Sequence, residues 1–284
     1  MKNLLFILLL SVVLPCSVSA SEAASGPRRI VSLSPSTTEI LYAMGLGDRI
    51  VGVTNYCDYP EEAKRKPKIG GMSNPSLEAV VTLKPDIVVL TKDGNPKEFE
   101  ELLHSLRIRT VVFFSRRVSE LPGGIRQLGS ALQAEEGAEK LAGKIERDLQ
   151  RLEAASRRAS GASRQKVLFI VWPEPLIVAG PGTAIDDAIT LLGDRNIAAS
   201  AASTYPKYSL EEAIRQAPDV IAIGKGSGMD MVEVSRGLIS RMTSVPAVRY
   251  NKVCYLGDGL YRLGPRIVPG IEELAQCLER KSPR

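Results

Sequence analysis

Two ordered internal repeats constrain this chain more than any other feature. Ser76-Leu77-Glu78, six residues and then Pro85-Asp86-Ile87 recur as Ser209-Leu210-Glu211, six residues and Pro218-Asp219-Val220, at an offset of 133. Gly47-Asp48-Arg49 followed by Tyr59-Pro60 recurs as Gly193-Asp194-Arg195 followed by Tyr205-Pro206, at an offset of 146. One short match arises by chance. Two matches in the same order imply two lobes of similar topology, each placing a helix entry and a strand in equivalent positions. At 284 residues the chain is too long for one minimal core and sufficient for two lobes.

The pattern between the repeats is strand alternating with helix. Arg29 to Ser34, Ile50 to Val53, Asp86 to Leu90 and Thr110 to Phe114 read as strands in the first half. Val167 to Val171, Val220 to Ile223 and Val253 to Leu256 read as strands in the second. The Asp86-Ile87-Val88-Val89-Leu90 run is continuously apolar after its first residue, as expected of a parallel strand covered on both faces. Helices are expected at Pro35 to Met44, Ser76 to Leu83, Lys97 to Leu106 and Gly270 to Arg280. The spacing predicts an α/β fold with mainly parallel sheets. From Leu121 to Arg158 the period is helical without a strand, which suits either a helix pair on one lobe or a rigid connector. The expected units are an N-terminal lobe over 28–120, a helical segment over 121–160 and a C-terminal lobe over 165–284.

Residues 1–20 have the order of a secretory signal: Lys2, an apolar run from Leu4 to Leu14 too short to span a bilayer, and Val18-Ser19-Ala20 before Ser21. A soluble mature chain from Ser21 is the expectation. Lipidation at Cys16 is the alternative, disfavoured by Pro15. An exported chain keeps Cys57, Cys254 and Cys277, an odd number, and spacing alone does not decide their pairing.

Composition excludes several classes. With 44% apolar and 24% charged residues the chain is neither disordered nor coiled-coil in type. Its net charge of +5 is small for the length and gives no case for nucleic acid as a partner. His104 is the only histidine, which rules out a multi-histidine zinc site and leaves a Ser-His-Asp triad no other imidazole to use. Gly180-Pro181-Gly182 and Gly224, Gly226 and Gly228 match no nucleotide fingerprint. No catalytic constellation is present, so an enzyme is not expected.

Tyrosines collect instead in three segments read as loops: Asn55 to Pro60, Thr204 to Tyr208 and Gly257 to Arg262. They suit either a large planar ligand or the anchoring of the loops themselves. Ser76 and Ser209 can cap the helices that follow them, and Glu78 and Glu211 sit in the first turns. Spacing alone favours a capping environment for these acids over a docking role.

Ser32 to Glu39 (SLSPSTTE), Val51 to Pro60 (VGVTNYCDYP) and the paired SLE-to-PD segments together resemble the cobalamin-binding periplasmic proteins of ABC importers, within the wider cobalamin, haem and siderophore class. The resemblance runs from about Arg28 to Arg280. It implies two Rossmann-like lobes joined by a single long helix, a ligand held in the cleft and little lobe movement. Tyr56 and Tyr205 would then face the corrin, while Asp258 and Arg262 would meet polar groups of the ligand. Glu78 and Glu211 match lobe-tip acids that dock on arginines of the membrane permease. The resemblance also implies a monomer in the periplasm, partnered by an inner-membrane permease and its ATPase subunits. Cobalamin or a related corrinoid would be cargo, with no prosthetic group. Gly70 to Ser73 and Leu90 to Lys92 lack cleft tryptophans of some members. A ferric siderophore, held by Arg262 with Lys92 or Lys207, or haem is the alternative ligand. In some members Cys277 would have a partner near Leu191 to Gly193, which this chain lacks.

Overall fold

The computed structural model describes residues 26–159, 164–225 and 229–279. Residues 1–20, with Cys16, and Gly226 and Gly228 lie outside them. The first sheet contains β1 (Ile30–Ser32), β2 (Ile50–Val53), β3 (Ile87–Thr91) and β4 (Arg109–Phe113), in the order β2-β1-β3-β4 and parallel throughout. Helices α1 (Pro35–Ala43), α2 (Glu61–Lys64), α3 (Leu77–Thr82) and α4 (Lys97–Ser105) connect these strands. Strand β1 is shorter than the apolar run suggests because Ser34 becomes the cap of α1, its Oγ accepting from Thr37 N at 3.1 Å.

Helices α5 (Leu121–Leu132) and α6 (Glu135–Ala159) follow. The single helical stretch of the sequence is therefore a pair, broken where Gln133 takes a left-handed conformation (φ 53°) without a glycine to mark it. Helix α6 is 25 residues long and leads from the first sheet to the second. Arg126 of α5 binds Glu139 (2.6 Å) and Glu146 (2.6 Å) of α6, clasping the pair on its exposed side.

The second sheet holds β5 (Lys166–Pro173), β6 (Leu176–Val178), β7 (Arg195–Asn196), β8 (Val220–Gly224) and β9 (Val253–Leu256), in the order β6-β5-β8-β9 with β7 also pairing β5. All pairings are parallel except the β5–β6 hairpin, too short to show as a separate period in the sequence. Helices α7 (Ala184–Leu191), α8 (Leu210–Gln216), α9 (Met231–Ser240), α10 (Pro246–Arg249) and α11 (Ile267–Leu278) complete the chain.

The repeated Pro-Asp pair does the same work in both halves. Asp86 accepts from Arg28 N (2.8 Å) and Arg29 N (2.9 Å), and its own N–H donates to Arg29 O (2.9 Å). Asp219 accepts from Lys166 N (2.8 Å) and its N–H donates to Lys166 O (2.8 Å). Each aspartate thus satisfies the free amides where the central strand of its sheet begins.

A single apolar cluster runs through the molecule. It joins Ile30, Ile50, Ile87 and Val89 of the first sheet to Ile125, Leu128, Ile145 and Leu149 of α5 and α6, and onward to Val167, Phe169, Ala222 and Cys254 of the second. Asp187 of α7 reinforces this junction by accepting from Val118 N at 3.0 Å. Cys254 and Cys277 form a disulfide between β9 and α11, and Cys57 is free and buried. Helix α11 begins earlier than the glycine at 270 suggests, because Ile267, Val268 and Ile271 all face the core.

Candidate functional site

Parallel strands deliver their following loops to one edge of a sheet, and ligands of α/β proteins collect there. In this molecule segments that follow β2 of the first sheet and β8 and β9 of the second meet at one crevice. Asp58 and Tyr59 from the loop after β2 line this crevice, of about 360 Å³, together with Lys225 after β8 and Gly257, Asp258 and Arg266 beyond β9.

The floor of the crevice is an ion cluster crossing between the halves. Glu39 of α1, with 1% of its side chain exposed, accepts from Arg262 Nη1 (3.1 Å), Arg266 Nε (3.0 Å) and Arg266 Nη2 (2.7 Å). Asp258, in a 3-10 turn over Asp258–Tyr261, accepts from Arg266 at 2.7 and 3.2 Å and lies 3.5 Å from Arg262 Nη2. Asp58 accepts from Arg262 Nη1 at 2.8 Å. The Arg266 guanidinium also rests over the Tyr59 ring, 4.8 Å from its centroid. Desolvation pushes the Asp58 carboxyl up, but the hydrogen bond and charge of Arg262, with Arg266 behind it, outweigh this and hold its pKa below the usual value. Desolvation would likewise lower the Arg262 pKa, yet Asp58 and Glu39 raise it overall.

Tyr56, 62% exposed, stands two residues before Asp58, its ring edge over Gly71. Tyr205, 48% exposed, is held between the carbonyls of Thr204 and Pro206, which accept from Gly180 N (2.8 Å) and Val178 N (3.3 Å) at the end of β6. Burial of its hydroxyl end raises the Tyr205 pKa. Tyr261 is raised further by desolvation and by proximity to Tyr205, and its ring packs edge-on against Phe169, centroids 6.0 Å apart.

Of the six residues singled out from the sequence, Asp258 and Arg262 lie together on the floor beside Asp58, while Tyr56 and Tyr205 stand exposed on loops of opposite halves. Glu78 and Glu211 are exposed in the first turns of α3 and α8, where Ser76 and Ser209 accept from Ala79 N (3.2 Å) and Glu212 N (3.0 Å). Neither glutamate has an ion-pair partner within 4.0 Å among the described residues, whereas the neighbouring Glu212 is bound by Arg215 and Gln216. Lys92 lies over the Phe114 ring, 4.8 Å from its centroid, and Arg262 is surrounded by carboxylates and not by lysines. His104 is exposed on α4, its Nε2 2.7 Å from Thr110 Oγ1. Among the described residues no group of three or more His, Cys, Asp and Glu could hold a metal ion.

Sequence reasoning did not select Glu39, Asp58 or Arg266. Glu39 carried a usable signal, since an acid among the apolar positions of α1 requires a buried cationic partner.

A family model described as "Periplasmic binding protein" matches residues 30–260. Among curated relatives, the vitamin B12-binding protein of Pectobacterium carotovorum is 28% identical over 257 residues, 90% of each chain. An uncharacterised ABC transporter substrate-binding lipoprotein of Bacillus subtilis, YvrC, is 31% identical over 89% of this chain and 80% of its own. Among solved structures, the periplasmic vitamin B12-binding protein BtuF of Vibrio cholerae superposes with a TM-score of 0.78 at 27% identity, covering 89% of this chain and 97% of the other. The periplasmic heme-binding protein RhuT of a Roseiflexus species gives 0.79 at 28% identity, covering 89% and 98%.

Proposed function

The chain belongs to the periplasmic binding protein family, and from that membership we propose that it captures cobalamin or a related corrinoid between its two lobes and delivers it to an inner-membrane ABC importer. The family is one of binding proteins and not of enzymes, and the corrinoid is cargo. ATP is hydrolysed by the partner, and the binding protein itself turns nothing over. The observation that carries this reading is the crevice itself, lined from both halves by Asp58, Tyr59, Lys225, Asp258 and Arg266, in a molecule whose Tyr56 and Tyr205 stand exposed on loops of opposite halves. Tyr56 and Tyr205 offer flat apolar contact to a planar macrocycle, and the Asp258 and Arg262 region offers hydrogen bonds to its periphery. In this reading residues 1–20 are the export signal, and the mature protein acts as a monomer in the periplasm.

Titration of the purified mature chain with cyanocobalamin, haem and a panel of ferric siderophores tests the assignment. Saturable binding of cyanocobalamin is expected, and siderophore or haem binding without corrinoid binding would overturn it. Haem is the second reading, because a heme-binding protein is equally similar in structure; a tyrosine would then serve as axial ligand, giving a shifted Soret band on mixing.

Glu78 and Glu211 are the proposed contacts to the permease. Each is exposed and has no ion-pair partner within 4.0 Å among the described residues, and the repeat gives them equivalent stations, which suits two equivalent basic sites on a partner. Glu78→Ala with Glu211→Ala is expected to leave corrinoid affinity within about twofold and to reduce transport at least roughly tenfold. Parallel loss of affinity and transport would assign these acids to the fold or the crevice instead.

A further inference from the structure

The two arginines of the crevice floor face more negative charge than they carry. Glu39, Asp58 and Asp258 surround Arg262 and Arg266, three carboxylates to two guanidiniums. Arg266 is boxed by Glu39 and Asp258, and Arg262 spends Nη1 on Glu39 and Asp58. Both oxygens of Asp258 are engaged by Arg266. Asp58 differs: Arg262 holds Oδ1, no side-chain donor among the described residues reaches Oδ2, and 44% of the side chain is exposed. It lines the crevice two residues from Tyr56. Lys225, the other charged residue lining the crevice, is exposed, and its side chain makes no ion pair with the three carboxylates among the described residues.

We propose that Asp58 is a specificity-determining residue of the crevice, accepting a hydrogen bond from a primary carboxamide of the ligand and rejecting a carboxylate in the same place. This inference rests on the corrinoid reading. An amide NH2 supplies the donor that a free carboxylate oxygen requires, whereas a second carboxylate brings like charge and no proton. Arg262 Nη1 is already shared between Glu39 and Asp58, so the Asp58 oxygen facing the ligand keeps its negative charge in place. The crevice therefore selects corrinoids whose peripheral side chains are amidated over those still carrying acids, and the reaction that must supply its ligand is side-chain amidation.

Cyanocobalamin and its monocarboxylate derivatives, each with one propionamide hydrolysed to the acid, provide the probes. Dissociation constants at pH 7 are measured for the unaltered protein and for Asp58→Asn and Asp58→Ser. The unaltered protein is expected to bind at least one monocarboxylate roughly tenfold or more weakly than cyanocobalamin, and either variant to shrink that ratio to about threefold or less. Two variants are used so that misfolding of one, read from its circular dichroism, leaves the other. Binding of every acid within about twofold of the amide, or a ratio unchanged in a folded variant, would overturn the role of Asp58. Absence of cyanocobalamin binding by the unaltered protein would overturn the corrinoid reading instead.

Discussion

Glu39→Ala is expected to cost about 3 kcal/mol of unfolding free energy, the largest effect of any single side chain in the crevice. The carboxylate has 1% of its side chain exposed and is the shared acceptor of Arg262 and Arg266. Removing it leaves two partly buried guanidiniums facing each other with only the more exposed Asp58 and Asp258 to balance them. Glu39→Gln keeps the shape and one acceptor and should fall between. Urea denaturation at neutral pH reads both, and a loss under about 1 kcal/mol for the alanine variant would mean that the cluster contributes little. Acid should act in the same direction. The Asp58 pKa is depressed in the folded chain, so its stabilisation is present above the unfolded value and is lost as pH falls through the folded one. An Asp58→Asn background should therefore show a flatter acid limb than the unaltered protein.

The second large effect is expected from the disulfide. Cys254 and Cys277 close a loop with a sequence separation of 23, for which the loop-entropy estimate is about 3 kcal/mol. Cys254→Ala with Cys277→Ala should lower stability by that order, and reduction of the unaltered protein should match it. A reductant-insensitive melting temperature would refute the contribution. Cys57 provides an internal control, because its buried thiol lies 3.1 Å from Thr54 Oγ1 and 3.2 Å from Thr38 Oγ1. It should react with a thiol reagent only when the N-terminal half opens.

The element order was legible because its signals are local. Continuous apolar runs gave the parallel strands, and Pro35, Ser76 and Ser209 gave the helix starts. The repeated Pro-Asp pairs showed two equivalent halves, although the repeat did not reveal that each aspartate holds the start of a neighbouring strand. Signals failed where structure was short or nonlocal. Strands β6 and β7 span three and two residues, below the length at which a period shows. The break between α5 and α6 falls at a left-handed Gln133, a conformation sequence patterns assign to glycine or asparagine. The crevice cluster was hidden for a different reason: Glu39 and Arg266 are 227 positions apart, and nothing in either local sequence names the other. Loop tyrosines, and the half to which each belongs, are visible in the sequence, but the exposure of Tyr56 and Tyr205 required the fold.

The apolar cluster shared by both sheets has a mechanical consequence. Each large side chain withdrawn from it would cost roughly 1.5–3 kcal/mol, so prising the halves apart by a hinge angle would require work far above thermal energy. Such a molecule cannot meter its cargo by breathing. Its unloading rate in free solution is set by contacts inside the crevice alone, and faster discharge demands leverage applied from outside. Scattering profiles of the empty and loaded protein should then superimpose, with any spreading of the halves confined to the complex with the importer.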